Sequence, residues 1–432
     1  MSSTQEKRFE VAIVGGGIAG IILAISLARR DVPFTIYERA HAFAELGVGL
    51  GMTPNAVRAM RFCDPAVREA FEKVTEPPFE WNFLDGTTSE AADDDIVQFS
   101  LGSTVEGMRG CHRGQFLKRL VELVPEGAIR FGKQLVRVEE PRGVAGRLVM
   151  VFDDGTTAET DAVVGCDGIK STTRAIVVGE DHPSAKCTYT YKYAYRGLVP
   201  VAQAVEILGP EKTAISGVWM SHGVHFVSYP VARRTMLNIV AHCTARDDWP
   251  SETQLTLPAD IESCVRDIDK LCAPLKRVIQ SLKGVDRWGQ FDLGEHPPPT
   301  YAKGRICLIG DAAHASTPHQ GAGGGICIED AAVLASLLAE DGVGPDAAIE
   351  AVFATFDAHR RQRGEWLVKS SRRAGELYEL KSEYGKDFEK VGAEVKATAE
   401  KMWGFSLEEN IRGAVEDLRK RLEGLGGRLV AT

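Results

Sequence analysis

Cysteine pairs and metal-ligand clusters are missing from this chain. Nine cysteines are scattered along 432 residues, with no C-x-x-C and no His/Cys group at zinc spacing, so no metal is expected. An odd cysteine count, behind an N-terminal flank (MSSTQEKRFE) that is not a secretory n-region, speaks for reduced thiols and a cytoplasmic setting. Apart from Val11 to Ala28, no stretch approaches membrane-spanning length without charges. Three consecutive glycines would weaken that stretch as a span, so no membrane insertion is expected. Internal repeats and low-complexity linkers are also lacking. Neither sign of charge dominates: 51 Lys and Arg against 60 Asp and Glu give a net charge of −9, which argues against nucleic acid or an anionic membrane as the main partner. With 44% hydrophobic and 26% charged residues, the composition is that of an ordinary globular protein. The length exceeds one typical core and predicts two domains with a helical tail.

The stretch that organises the rest is VAIVGGGIAGIILAISLARRDVPFTIYE, Val11 to Glu38. Four apolar residues make a buried strand, and Gly15, Gly17 and Gly20 follow in G-x-G-x-x-G spacing. A helix runs from about Ile18 to Arg29, and a second strand, Phe34 to Tyr37, ends in Glu38. This order is that of a dinucleotide-binding βαβ unit. Gly15 permits the turn, Gly17 lets a pyrophosphate approach the backbone, and Gly20 lets helix and strand pack. The helix N-terminus offers free N–H groups to phosphate, and Glu38 sits where a carboxylate accepts from a ribose hydroxyl.

Further along, Gly47, Gly49 and Gly51 predict a flexible turn, and Thr53-Pro54 a helix start. Pro77 to Asp95, with the run Asp93 to Asp95, reads as a solvated loop or hairpin. Arg113 opens a helix reaching about Val124, a poor place for a cation unless it meets an anion. Leu135 to Val151 alternates as a β-meander, with turns at Pro141 to Gly146 and Asp153 to Gly155. Ala162 to Gly165 is a buried strand followed by Asp167-Gly168, then Ser171 and Arg174. From Ala194 to Ala245 strands predominate, with no helical signal until Asp260, which indicates an inserted sheet domain. There His225, Val227 and Tyr229 share one strand face. Another strand, Ile306 to Ile309, leads into Gly310-Asp311, a loop through Pro318 and Gly321 to Gly325, and an apolar helix to about Leu338. A long Arg-rich helix spans Ala348 to Glu379. The charged helical tail, Tyr384 to Leu429, has Trp403 and Phe405 as anchors and reads as an exposed packing element.

These separated motifs together resemble the single-component (group A) FAD-dependent aromatic hydroxylases. The resemblance rests on Gly15-x-Gly17-x-x-Gly20 with Glu38, on Asp167-Gly168, on Gly310-Asp311 with Pro318-x-x-Gly321, on Arg113, and on FDAHRRQR (Phe356 to Arg363). It spans roughly residues 8 to 380. Within the group the chain is most similar to salicylate hydroxylase-like enzymes, and through YRGLVP and TPHQGAGGG to fungal members acting on polyketide phenols in secondary metabolism.

The resemblance implies an α/β Rossmann-like FAD-binding domain of the para-hydroxybenzoate hydroxylase type, an inserted β-sheet substrate domain and a helical C-terminal region. It divides the chain into 1–78, 105–178 and 296–370 for FAD, 79–104 and 179–295 for substrate, and 371–432 for the tail. It places Gly15, Gly17, Ile18, Ala19 and Gly20 at the FAD pyrophosphate, Glu38 and Arg39 at the adenosine ribose, and Arg113 at the phosphate or ribityl region. Asp311 would bond the ribityl chain. Gly51 and the loop of Pro318, Gly321, Gly323 and Gly324 would lie along the isoalloxazine, and Asp167-Gly168 would serve FAD and NAD(P)H together. Ala322 stands where the family commonly has Gln.

The reaction so implied is reduction of FAD by NAD(P)H, addition of O2 to give a flavin C4a-hydroperoxide, and hydroxylation of a small phenolic aromatic substrate. Simple ortho, decarboxylating and dearomatising outcomes all stay open, as do monomer and homodimer. Arg196 is the candidate anchor for a phenolate or carboxylate. His225, Tyr229 and His319 are candidates for proton relay or substrate orientation. Flavin halogenases place a lysine and a W-x-W-x-I-P segment where this chain has neither. Two further alternatives are a flavin-dependent reductase and a non-catalytic escort protein of the same fold.

Overall fold

The computed structural model describes residues 9–43, 49–87, 97–103, 107–140, 146–345 and 347–429. Gly47, the run Asp93 to Asp95 and Pro141 lie outside them. Val11–Val14, buried along its whole length, takes the centre of a six-stranded sheet. Ala162–Gly165 pairs with it on one side and Phe34–Glu38 on the other, both parallel. Ile306–Leu308 and Ile129–Phe131 extend the parallel array, and Ala302–Lys303 closes one edge antiparallel. A continuous apolar run suits a strand covered on both faces. The helices Ile18–Ala28 and Gly323–Leu338 pack on each other, burying Ile21, Ile22, Leu23, Ile328 and Val333 in this lobe's core. The meander forms as expected, as a three-stranded antiparallel sheet from Leu135–Glu139 to Thr157–Thr160.

The second lobe is an eight-stranded sheet in the order Thr256–Ala259, Val285–Asp292, Thr188–Pro200, Met236–Thr244, Val224–Val231, Ser216–Ser221, Trp81–Asp85, Val97–Leu101. Strand alternation divides its two faces. Tyr193, Tyr195, Ile239, Ala241 and Phe226 bury one face against helices Ile261–Asp267 and Ala273–Gln280. The intervening residues, Arg196, Val240, His242, His225 and Tyr229, turn to the other face, toward the first lobe.

Four expectations are corrected. Of the solvated loop or hairpin expected there, the hairpin holds, since Trp81–Asp85 pairs antiparallel with Val97–Leu101, but the solvation does not: Trp81–Asp85 is an interior strand with Phe83 and Leu84 buried on opposite faces. Gly49–Met52 is not a flexible turn but a strand paired with Arg109–His112. Within the all-strand region lie two short helices, Val201–Leu208 and Pro210–Ala214. The first buries only Ala204 and Leu208, too few for a clear 3.6-residue period, and stops at Gly209, φ +83°. The tail is not a peripheral element. Helix Phe388–Trp403 buries Val391, Val395, Ala399 and Met402, a stripe at helical spacing, and walls a cavity between the lobes. Trp403 packs beside Met402, and Phe405 lies under the Arg363 guanidinium at 3.9 Å.

Candidate active site

The glycines of the first turn divide the work as their chemistry allows. Gly15 has φ +107°, and a Cβ there would stand 2.5 Å from the Cys166 carbonyl oxygen; a Cβ on Gly20 would stand 2.0 Å from the Gly15 carbonyl oxygen. Gly17 instead faces open space, with nothing within 4 Å of its Cβ position. It caps helix Ile18–Ala28 without any side-chain hydrogen bond, so the first-turn N–H groups around Ile18 and Ala19 remain free for an anion. Glu38 accepts from Gly16 N at 2.6 Å and from Ala40 N at 2.8 Å, which fixes its carboxylate at the edge of this turn; Arg39 beside it is exposed.

Arg113 does begin a helix, Arg113–Val121, capped by His112. No ion pair engages it among the described residues, and its charge acts on Asp311, which is exposed at the head of the turn after Gly310 (φ +62°). The Asp167 carboxylate is committed to local structure, accepting from Ser171 Oγ and from Thr173 N and Oγ1, while Gly168 takes φ +75°. In the later loop, Pro318–Gln320 forms a single 3-10 turn and Gly321 has φ +59°. Gly323 lies beside Asp311, and helix Gly323–Leu338 starts without a side-chain cap. Gly51 faces Gly321 across a narrow gap. Ala322 is buried in an apolar cluster with Ile326, Leu367 and Met402.

This groove fits FAD. Among the described residues, an open backbone cradle, two helix N-termini without side-chain caps, a cation outside any ion pair and a carboxylate supply groups that suit its pyrophosphate, ribityl chain and ring.

Sequence reasoning passed over what holds the groove in shape. Arg174 is buried and donates to four carbonyls, those of Ser184, Asp311, Ala312 and Ile169, tying the Asp167 turn to the Asp311 turn. Beneath the loop lies a buried charge network. Arg360 bonds Glu329 at 2.8 Å and Asp330 at 2.9 Å, and Arg363 bonds Glu329 at 2.9 Å. Asn55 donates to Glu329; His314 and Gly310 N engage Asp330. The signal was present: Glu329-Asp330 interrupts an apolar helix, and FDAHRRQR carries the matching cations.

Beyond the groove opens a cavity of about 620 Å³. The loop Pro318 to Gly324 forms one wall and the polar face of the large sheet another; Phe79, Trp81, strand Gly49–Met52, the end of the long helix from Ser370 to Tyr378 and the tail helix complete it. All four side chains expected to act on substrate line it. Arg196 lies over the Trp288 ring, 4.9 Å from its centre, and its Nε has no hydrogen-bond partner. Burial lowers its pKa, while Tyr229 nearby acts in the opposite sense. Burial pushes the Tyr229 hydroxyl pKa up, and the Arg196 charge opposes this. The Tyr229 ring packs against both Phe79 and Trp81, with its hydroxyl against Gly49.

His225 and His319 are joined by a residue the sequence did not single out. His242 is the cross-strand partner of His225, and the two rings stack 4.3 Å apart at 6°. His319 lies 5.3 Å from each, with both ring nitrogens unpartnered. Burial lowers all three pKa values, so the rings stand neutral. Their nitrogens approach within 4.8 Å, yet this is a poor metal site. A ligating imidazole keeps the ion in its own ring plane, and one ion cannot lie in the planes of two stacked, near-parallel rings. His242 Nδ1 is also bonded to Gln290 at 2.7 Å. The cluster suits proton handling instead.

Comparison with known proteins agrees with this geometry. The FAD binding domain family matches residues 8–371. An FAD-dependent monooxygenase of Monascus ruber is 43% identical, covering 97% of this chain and 99% of that protein. A salicylate hydroxylase of Sarocladium schorii is 35% identical over 98% and 94%. Among solved structures, a salicylate hydroxylase substrate complex superposes with a TM-score of 0.82 at 28% identity, covering 95% of this chain and 99% of that one.

Proposed function

Because this chain belongs to the FAD-binding domain family and is an FAD-dependent monooxygenase of the salicylate hydroxylase type, we propose that its cavity binds a phenol as the phenolate and hydroxylates it at the expense of NAD(P)H and O2. Bound FAD supplies the oxygen-transfer chemistry. The turn of Gly15, Gly17 and Gly20 holds the pyrophosphate with Glu38 at the ribose; Arg113 and Asp311 hold the middle of the cofactor, and the loop through Gly321, Gly323 and Gly324 holds its ring. The lobes divide as the motifs divide the chain, FAD on the six-stranded sheet and substrate on the eight-stranded one, with the tail helix closing the cavity.

The observation that carries the reading is Arg196, a half-buried guanidinium on the cavity wall with a buried, unpartnered Nε. A cation withdrawn from water without an anion is costly, and a phenolate or aryl carboxylate supplies one. Tyr229 donates to the same oxygen, and apolar walls from Val227, Val240 and Met402 exclude water, which strengthens charge pairing at Arg196. His225 and His319, neutral and open to the cavity, take the phenol proton.

The purified yellow protein should oxidise NADH or NADPH faster when a salicylate, resorcylic acid or alkylated phenol is added, and 18O2 should label the product. Arg196→Ala should raise KM about 10- to 100-fold, the value of one charge-assisted hydrogen bond. Unlabelled product would remove the monooxygenase reading, and unchanged kinetics in Arg196→Ala would remove the anchor.

A further inference from the structure

Behind the histidines, outside the cavity, a fully buried carboxylate stands that nothing above employs. Glu379 is the first residue past helix Ala347–Tyr378 and has no solvent exposure. Its Oε2 is well served, by Lys192 Nζ, by Lys381 Nζ at 3.1 Å and by Thr244 Oγ1 at 3.1 Å. Its Oε1 has no hydrogen-bond partner. The atom facing it is His225 Nδ1, 3.6 Å away and likewise without a partner. Two buried polar atoms, one able to donate and one able to accept, thus face each other just beyond bonding distance. Unsatisfied pairs of this kind are rare in protein interiors, and catalytic hydrogen bonds are often long before substrate binds.

The placement follows from sheet register. Lys192 pairs with Thr244, Ala194 with His242, and His242 with His225. Lys192, Thr244, His242 and His225 therefore share the cavity-side face, two residues apart along their strands, and Glu379 reaches them from the helix end. An ion pair that merely neutralised Lys192 would need only Oε2.

We propose that Glu379 is the positioning residue of a carboxylate–histidine dyad. It keeps a hydrogen on His225 Nδ1, leaves Nε2 as the base that opens on the cavity, and steadies the imidazolium formed there. In the step itself the phenol O–H bond breaks, its proton forms the Nε2–H bond, and the electron pair stays on the phenolate oxygen beside Arg196. The Nδ1–H bond is kept and Glu379 is not protonated. The logic is that of the buried carboxylate in a hydrolase triad. The dyad rests on the phenol reading above for its substrate, but the tautomer it requires does not.

The surroundings support an ionised Glu379. Burial opposes its ionisation, but His225 and Lys192 outweigh that and hold its pKa well below the usual carboxylate range. The groups facing His225 are His242, His319 and Tyr378 through ring contacts, Glu379 on the Nδ1 side, and Lys192, which disfavours a second positive charge. Glu379 faces Lys192, Lys381, Thr244 and His225, and Glu376 adds negative charge near Lys192.

Two measurements on the FAD-loaded full chain test this. The first is the nitrogen NMR spectrum of 15N-histidine-labelled protein, with His225 assigned by its loss in His225→Gln. The wild type should show His225 protonated at Nδ1, and Glu379→Gln should move the proton toward Nε2. A wild type protonated at Nε2 overturns the dyad, whether or not any phenol is a substrate and whether or not the variant folds. The second is the pH profile of phenol-stimulated NAD(P)H oxidation, using the phenol of the panel with the highest rate. Glu379→Gln should lower kcat about 100-fold or more with little change in KM. The remaining activity should have its acidic limb moved down by about 1–3 pH units, because an imidazolium without its anion loses its proton more readily. Glu379→Asp should restore the wild-type limb. A merely structural Glu379 would leave the limb in place, and that result refutes the proposal. If no phenol stimulates turnover while the Nδ1 tautomer is found, the substrate reading fails and the dyad stands.

Discussion

Arg360→Met tests whether the buried charge network under the flavin loop carries the groove. Arg360 has no exposed side-chain surface and bonds two carboxylates, Glu329 Oε2 and Asp330 Oδ1. Without it Glu329 keeps Arg363 and Asn55, but Asp330 keeps only His314 at 2.6 Å and Gly310 N at 3.2 Å. Removing one partner of a buried pair costs about 3–5 kcal/mol. The unfolding entropy of 432 residues at about 2.1 cal/mol/K each is about 0.9 kcal/mol/K, so Tm should fall by about 3–5 °C.

The deficit should also depend on pH. Its pH window is set by Asp330. In the wild type, burial opposes Asp330 ionisation, but His314 and Arg360 prevail and hold its pKa at about 2. The network's contribution is thus fully present above the ordinary carboxylate range near pH ~4 and lost as pH falls through about 2. Because Asp330 accepts from Gly310 N, next to Asp311, the variant should also release FAD more readily, which flavin fluorescence reads directly. A melting shift under about 1 °C with unchanged FAD release would refute the assignment.

Two further outcomes follow from close packing. A Cβ at Gly375 would lie 2.8 Å from the His319 ring, so Gly375→Ala should push His319 into the cavity, raise the KM for phenols and cost about 1–3 kcal/mol of stability; unchanged KM would show that the ring yields elsewhere. Ala399→Phe, on the tail helix facing the cavity, should slow turnover of phenols with large apolar substituents more than that of salicylate, and equal effects on both would place substrate away from the tail.

The FAD half of the molecule was legible because its determinants are local. Strand, turn glycines, helix and acid follow one another within 28 residues, and each turn's backbone demand appears as a glycine. The substrate half was legible strand by strand but not as an assembly. Period-2 alternation put His225 and Tyr229 on one face, yet His242 became their neighbour only through pairing register. The burial of Trp81–Asp85 was missed because it joins the sheet parallel to Ser216–Ser221, more than a hundred residues away. Glu379 looked like the last residue of a charged helix; nothing within its own segment shows that Lys192 will meet it.

One distinction separates the charges that hold the fold from those left for chemistry. Polar groups in the network around Glu329 and Asp330 are mostly saturated by one another, as buried charges must be. The groups on the cavity are not. Thr53, Arg196, Asn238, Thr317 and His319 each have a buried polar atom without a partner, and all five line the same space. Unmet hydrogen-bonding capacity scattered through a protein would signal a poor core. Where five such residues meet at one cavity, the proposed phenol reading expects a flat, largely apolar molecule with an anionic oxygen at Arg196 and further polar substituents within reach of the other groups. A monophenol without a second polar group would leave Asn238 or His319 unsatisfied, so the chain should prefer phenols carrying a second hydroxyl or carbonyl.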